Sequence, residues 1–121
     1  MPPNSDKPSA GLREEVAQRA DHRCEYCLCP DNFSPDSFTV DHIYPRALGG
    51  RTVPDNLGWA CFGCNGRKHV KTNVKDPATQ FSVELFNPRQ QNWSEHFMWN
   101  ADNETQLVGI TPCGRATVIA L

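Results

Sequence analysis

The sequence lacks any apolar run near the length of a bilayer span, and only 9% of its 121 residues are aromatic. Its start, residues 1–9, also lacks the apolar stretch of a signal peptide. We therefore expect a soluble cytoplasmic protein with no membrane partner. Ten prolines and eight glycines imply many turns, so the core is modest and a structural metal would help to hold it.

The chain also lacks an excess of positive charge, because its formal net charge is −2. Residues 1–40 carry four basic and seven acidic groups (−3), and residues 76–121 carry two and five (−3). Residues 41–75 carry six basic groups against two acidic ones (+4). This distribution excludes a protein coated with positive charge and favours a local phosphate-contacting site.

Six cysteines are present, and four of them form two Cys-x-x-Cys pairs, Cys24/Cys27 and Cys61/Cys64. Without a secretion signal, paired spacing of this kind indicates metal binding rather than a disulfide framework. Four thiolates make a closed, structural zinc site. The alternative is that some of these cysteines are buried thiols; Cys29 could rival Cys27 as a ligand, and we interpret Cys113 as a free thiol.

The pattern of apolar and polar residues predicts a single α+β domain over residues 9–121, after a disordered tail at residues 1–8. Ser9 is placed to cap an N-terminal helix, and Thr111 with Pro112 to begin a C-terminal one. The other predicted elements are a strand at 38–43, an irregular loop from 44 to about 54, a helix at about 61–73, a strand at 81–86, and a hairpin with strands at 96–100 and 105–110.

One string of residues resembles the HNH endonuclease family over residues 24–71. It consists of Cys24-Glu-Tyr-Cys27, Val40-Asp-His-Ile-x-Pro-Arg46, Gly49-Gly50, Asn56-Leu57 and Cys61-x-x-Cys64-Asn65-x-x-Lys68. The resemblance implies a ββα-metal core, in which a hairpin and a helix grip a divalent cation, braced here by a four-cysteine zinc. The N-terminal helix and a C-terminal extension at 76–121, a hairpin plus helix, would complete the domain.

The resemblance also implies roles for individual residues. His42 matches the general base and Asp41 the adjacent metal ligand, while Asn56 matches the asparagine that orients the base and stabilises the loop. Asn65 takes the place of the motif's last histidine, a second metal ligand, and asparagine is an accepted variant there. His69, one turn further along, is an alternative ligand.

These residue types suit phosphodiester hydrolysis. An imidazole can take a proton from water at neutral pH. A carboxylate and an amide oxygen suit Mg²⁺ or Mn²⁺ better than zinc. We predict phosphate contacts from Arg46, Arg67 and Lys68.

We therefore predict a metal-dependent endonuclease acting on DNA, with structural Zn²⁺ and catalytic Mg²⁺ or Mn²⁺. A homodimer would provide double-strand cleavage. Two alternatives remain: a zinc-stabilised module that binds nucleic acid or protein without cleaving it, and a redox protein that uses its Cys-x-x-Cys pairs. The binding module shares the cysteines but has no need for a base beside a carboxylate.

Overall fold

The computed structural model describes residues 7–33, 37–102 and 106–121. Residues 1–6 of the predicted tail and residues 103–105 of the predicted hairpin, which include the end of its turn at 101–103, lie outside these ranges. The chain divides into two compact units, Met1–Val70 and Lys71–Leu121. The assignment of residues 9–121 to a single nuclease domain stays a prediction.

The described elements have mixed helix and strand content, as the α+β expectation requires. In the first unit they are α1 (Ala10–Arg19), β1 (Thr39–His42), β2 (Leu57–Ala60) and α2 (Phe62–Lys68). In the second they are β3 (Asn73–Lys75), β4 (Ser82–Glu84), α3 (Trp93–His96), β5 (Phe97–Trp99), β6 (Leu107–Gly109) and α4 (Pro112–Ala120). Short 3₁₀ turns occupy Asp31–Phe33, Arg46–Leu48 and Pro54–Asn56.

Helix α1 begins where its cap predicts, because the Ser9 hydroxyl accepts the backbone N–H of Leu12 at 3.1 Å. Val16 and Ala17 are its buried residues. The helix ends at Arg19, whose guanidinium donates to the backbone carbonyl of Leu57 at 2.7 Å. This bond ties α1 to the start of β2.

Strand β1, predicted from its alternating pattern, pairs antiparallel with β2, with Thr39 opposite Ala60 and His42 opposite Leu57. The pattern of apolar and polar residues did not predict β2, because all four of its residues are buried and no alternation marks it. The pair is followed directly by α2. The order of elements around the two cysteine pairs is thus strand, strand, helix.

The second unit contains two antiparallel pairs, β3 with β4 and β5 with β6. Helix α4 begins at its predicted cap, where the Thr111 hydroxyl accepts the N–H of Gly114 at 3.0 Å. Leu85, Ala116 and Ala120 form a core cluster with Val74 and Val83 packed against it. Within the described parts of the chain, no helix has the length and apolar character needed to cross a bilayer.

Candidate metal and catalytic centre

The four paired cysteines meet in space. Their Sγ atoms all lie within 4.8 Å of one another, and those of Cys27 and Cys61 are 3.8 Å apart. Four sulfurs arranged tetrahedrally at about 2.3 Å from a zinc ion are about 3.8 Å from each other. The cluster is therefore compatible with a zinc site, and among the described residues it is made of the four predicted cysteines.

Each Cys-x-x-Cys turn is held by a local hydrogen bond. The backbone N–H of Cys27 donates to the Cys24 sulfur at 3.5 Å, and that of Cys64 donates to the Cys61 sulfur at 3.4 Å. Cys61 is also the N-cap of α2. The spacing thus sets two sulfurs side by side at the start of the helix and two in the turn that follows α1.

The ionisation of each thiol in the cluster affects the others, because neighbouring thiolates repel one another. Hydrogen bonding with Cys24 lowers the pKa of Cys61 and raises the pKa of Cys64. Zinc binds thiolates, so an ion here would draw all four cysteines into the ionised state. Cys29 is not in the cluster, and its thiol donates to the backbone carbonyl of Pro30 at 3.6 Å.

Asp41 lies on β1 and is 3% exposed. The Tyr26 hydroxyl donates to its Oδ2 at 2.6 Å, and the Lys68 ammonium lies 3.1 Å from Oδ2 and 3.2 Å from Oδ1. Burial raises the pKa of Asp41, and the Lys68 charge opposes that rise. The carboxylate therefore has a cationic partner within the protein.

We expected Lys68 to contact phosphate, but the structure buries it, with 2% of its surface exposed. Besides Asp41, its ammonium donates to the backbone carbonyls of His42 at 3.3 Å and Ile43 at 3.1 Å. The physical reason is its position four residues after Cys64, which puts both side chains on the face of α2 that packs inward. Lys68 therefore joins α2 to the end of β1.

His42 is partly buried at the end of β1, and its Nε2 is 2.9 Å from the hydroxyl of Thr52. Thr52 was not among the residues predicted from the sequence, and a single threonine in a loop gives no signal. Tyr26, the partner of Asp41, was missed for a similar reason. It lies inside the first Cys-x-x-Cys pair, where only the fold reveals that it is buried.

Asn56 holds the loop between β1 and β2 together. Its Oδ1 accepts the backbone N–H of Tyr44 at 2.8 Å, and its Nδ2 donates to the carbonyls of Tyr44 at 3.1 Å and Arg51 at 2.9 Å. Gly50 permits this closure, because a Cβ there would lie 1.7 Å from the Tyr44 carbonyl oxygen.

The remaining predicted residues are on or near the surface. Asn65 is partly buried on α2, and its side chain makes no hydrogen bond within the parts of the chain that the structure describes. Arg46 and Arg67 are exposed, as is Arg51, which the prediction did not include. His69 is exposed at the end of α2 with a φ of 47°.

Comparison with known families identifies the segment that contains this site. Residues 24–71 match the family model described as HNH endonuclease. This match confirms the resemblance over residues 24–71. Members of this family are usually nucleases, so the matched segment indicates a nuclease-type or nucleic-acid-binding role. Neither the curated proteins nor the solved structures include a match to the chain.

Proposed function

We propose that this protein is a metal-dependent endonuclease that hydrolyses phosphodiester bonds in DNA. The observation that carries the proposal is the position of His42 beside Asp41 on β1, with Lys68 of α2 against the same strand end. This arrangement lies inside the segment that matches the HNH endonuclease family. It gives the chain a base next to a carboxylate, which a pure binding module does not require.

The proposed reaction starts at His42. Its imidazole takes a proton from a water molecule, and the water oxygen forms a bond to phosphorus. The bond between phosphorus and the 3′ oxygen breaks, and that oxygen keeps the electron pair until solvent protonates it. Asn56 contributes by fixing the loop that follows His42, through its bonds to Tyr44 and Arg51.

Asp41 and Asn65 are the residues proposed to hold a divalent cation. Their carboxylate and amide oxygens fit Mg²⁺ or Mn²⁺ in donor type. When bound, the cation would neutralise charge on the phosphate and the leaving oxygen. The Lys68 ammonium competes for the same carboxylate, so we expect Lys68 to move away from Asp41 when the cation binds.

Two further parts complete the proposal. Zinc at the four cysteines would brace the segment without taking part in the chemistry. The exposed Arg46 and Arg67 are proposed to contact phosphates, and Arg51 joins them because it is also exposed. Cytoplasmic location and homodimer formation stay predictions.

A plasmid-nicking assay tests the function. The wild-type protein should nick supercoiled DNA with Mg²⁺ or Mn²⁺, and His42→Ala should lose that activity while keeping its circular dichroism spectrum. Glu15→Gln, an exposed change on α1, is the matched control and should cleave like wild type. Equal cleavage by wild type and His42→Ala would show that His42 is not the base.

The rival function, binding without cleavage, predicts a different outcome of the same experiment. Wild type and His42→Ala would then both shift DNA in a gel, and neither would nick it in any metal. The pairing of Asp41 with Lys68 is the observation that favours this alternative, because it neutralises the carboxylate without an added cation.

A further inference from the structure

A cavity of about 480 Å³ lies within the second unit, and the function proposed above makes no use of it. The residues that line it lie between Val83 and Cys113 in the sequence, outside the segment that matches the HNH family. A cavity of this size is in the range of protein pockets that hold small organic molecules, and it is much larger than a single water molecule needs. The cavity therefore has room for an organic ligand.

One wall of the cavity carries the side-chain amide of Gln91, whose orientation the backbone fixes. Its Oε1 accepts the backbone N–H of Asn87 at 2.8 Å, so the other end of the amide is the donor Nε2. This nitrogen lies 3.4 Å from Nε2 of His96 and 3.9 Å from the sulfur of Cys113. An ordinary N–H hydrogen bond is about 2.7–3.2 Å long. Within the described parts of the chain, the N–H groups of Gln91 thus make only long contacts.

The imidazole of His96 lies beside this donor and is held from its other side. Its Nδ1 is 2.7 Å from the hydroxyl oxygen of Thr111, which also accepts the backbone N–H of Gly114 at 3.0 Å. A hydroxyl oxygen has two lone pairs, so it can accept from both groups. Because the Gln91 nitrogen is a donor, the His96 Nε2 that faces it is the acceptor, and the imidazole proton is on Nδ1. The wall thus presents an N–H donor and a nitrogen lone pair side by side.

The other lining residues favour an uncharged ligand. Among the described residues that line the cavity, Glu84 carries a full charge and none is a lysine or an arginine. An anion would therefore be repelled, and a cation would meet the N–H groups of Gln91. Val83, Pro112 and Cys113 supply apolar surface, and burial raises the pKa of the Cys113 thiol, which keeps it uncharged. The lining suits an uncharged ring with a donor beside an acceptor.

We propose that this cavity binds the edge of an unpaired nucleobase, with Gln91 donating to an acceptor atom of the base and His96 accepting from a neighbouring N–H. Nucleobase edges carry donors and acceptors side by side; adenine, for example, has an amino group next to N7. Unpaired bases are recognised through such edges. The inference rests on the proposed nuclease function for the source of the base, which is single-stranded DNA. Free nucleosides offer the same chemistry.

Binding of nucleosides to the wild-type protein tests the cavity without any cleavage. Titration with adenosine should shift the side-chain amide signals of Gln91 and the ring nitrogen signals of His96 in ¹H–¹⁵N spectra of labelled protein. Dimethylation of the amino group of adenosine keeps the rings and removes the donor, so the dimethylated nucleoside should bind about tenfold more weakly. Equal binding of the two nucleosides, or no shift with millimolar adenosine, would overturn the proposal.

The variant Gln91→Glu removes the donor and keeps the acceptor. Glutamate retains an oxygen for the Asn87 N–H but replaces the amide nitrogen with a second oxygen, so adenosine should bind about tenfold more weakly or worse. Gln106→Glu is the matched control, because Gln106 is exposed, lies outside the cavity and also accepts through its Oε1, from Asn100. Equal weakening in both variants would assign the effect to charge and contradict the role of Gln91.

A loss of folding does not leave the proposal untested. Circular dichroism shows whether Gln91→Glu is folded, and the comparison of the two nucleosides needs only the wild-type protein. A peptide-like amide is the rival ligand, because it offers a donor and an acceptor without a ring. Capped asparagine that binds as tightly as adenosine would overturn the assignment to a nucleobase.

A short single-stranded oligonucleotide of deoxyadenosine distinguishes the two sources of the base. If it shifts the same signals of Gln91 and His96, single-stranded DNA is the ligand; if adenosine alone shifts them, base recognition stands and the DNA source fails. Nicking of DNA by a protein that shows no shift with adenosine or the oligonucleotide would overturn the cavity and leave the nuclease function. Shifts in a protein that cleaves no DNA would leave the cavity and overturn the nuclease function.

Discussion

At the scale of single residues, the contact between Lys68 and Asp41 is the feature that most affects the proposed metal site. Removing two charges from water is costly, and a buried pair survives only when good hydrogen bonds compensate. Here the ammonium also bonds to the carbonyls of His42 and Ile43, and Tyr26 bonds to the carboxylate. The pair is therefore well satisfied before any divalent cation binds.

Replacing this lysine separates its structural and electrostatic effects. Lys68→Met leaves Asp41 buried without its cation, so the free energy of unfolding of the zinc-loaded protein should fall by about 3–5 kcal/mol. Mg²⁺ or Mn²⁺ should then raise the melting temperature of Lys68→Met more than that of wild type, because the competing ammonium is gone.

The control for this prediction is Arg67→Met, which removes an exposed charge from the neighbouring position of α2. Its melting temperature should stay close to that of wild type, and its response to the cations should be unchanged. An equal response of Lys68→Met and wild type to Mg²⁺ and Mn²⁺ would mean that Lys68 does not compete for the site.

At the scale of elements, Asp76 connects the β3–β4 pair to α4. It is fully buried, and Arg115 of α4 donates to its Oδ1 at 2.8 Å and to its Oδ2 at 2.9 Å. The Thr79 hydroxyl donates to Oδ2 at 2.8 Å. Hydrogen bonding from Arg115 lowers the pKa of Asp76 well below the ordinary value of 3.8.

A lowered pKa in the folded state stabilises the fold above the ordinary pKa and loses that effect as pH falls toward the folded-state value. Asp76→Asn should therefore be less stable than wild type near neutral pH, and the difference should narrow below about pH 4. Urea unfolding, followed by the indole NMR signals of Trp93 and Trp99, measures the free energy of unfolding at each pH. For the exposed control Glu84→Gln, the difference in this free energy from wild type should not narrow below about pH 4. A difference for Asp76→Asn that stays constant with pH would show that ionisation of Asp76 does not stabilise the fold.

Some helices and strands could be predicted from the sequence and others could not, depending on whether a local signal marks them. Helices α1 and α4 were predicted correctly at their starts because Ser9 and Thr111 cap them through local hydrogen bonds. Strand β2 was missed because burial on both faces removes alternation, and β3 because three residues give too little pattern. Helix α3 (Trp93–His96) was missed because aromatic residues favour a strand locally.

The candidate site was also predictable only in part. The spacing of the four cysteines indicated that they would come together, and they do. The partners of the site residues were not predictable, because they are brought together by the fold. Tyr26 reaches Asp41 across 15 positions and Lys68 reaches it across 27, which no local pattern records.

At the scale of the whole molecule, the protein should contain one zinc ion per chain. Elemental analysis of protein purified without chelators measures this directly. Cys24→Ser should lose the zinc and the folded structure of the first unit, because it removes one of four ligands. Cys113→Ser should keep both, since Cys113 lies outside the cluster. Metal-free protein with titratable thiols would favour the redox alternative instead.

The uneven distribution of charge along the chain is a second property of the whole molecule. The +4 of residues 41–75 is unaffected by the Asp41–Lys68 pair, because those two charges cancel. The basic residues in this segment are flanked along the chain by two segments of −3 each. Such a distribution suits weak, salt-sensitive contact with DNA phosphates rather than tight binding along a duplex.

The four-cysteine cluster also sets an order of events during protein synthesis. Its sulfurs come from both sides of the 33 residues that separate Cys27 from Cys61, so an ion there would gain its last ligand only after Cys64 has been made. Asp41 and His42 are translated earlier. A nascent chain therefore carries these two residues before all four cysteines are available, and a cross-link through an ion could form only late in the synthesis of this segment.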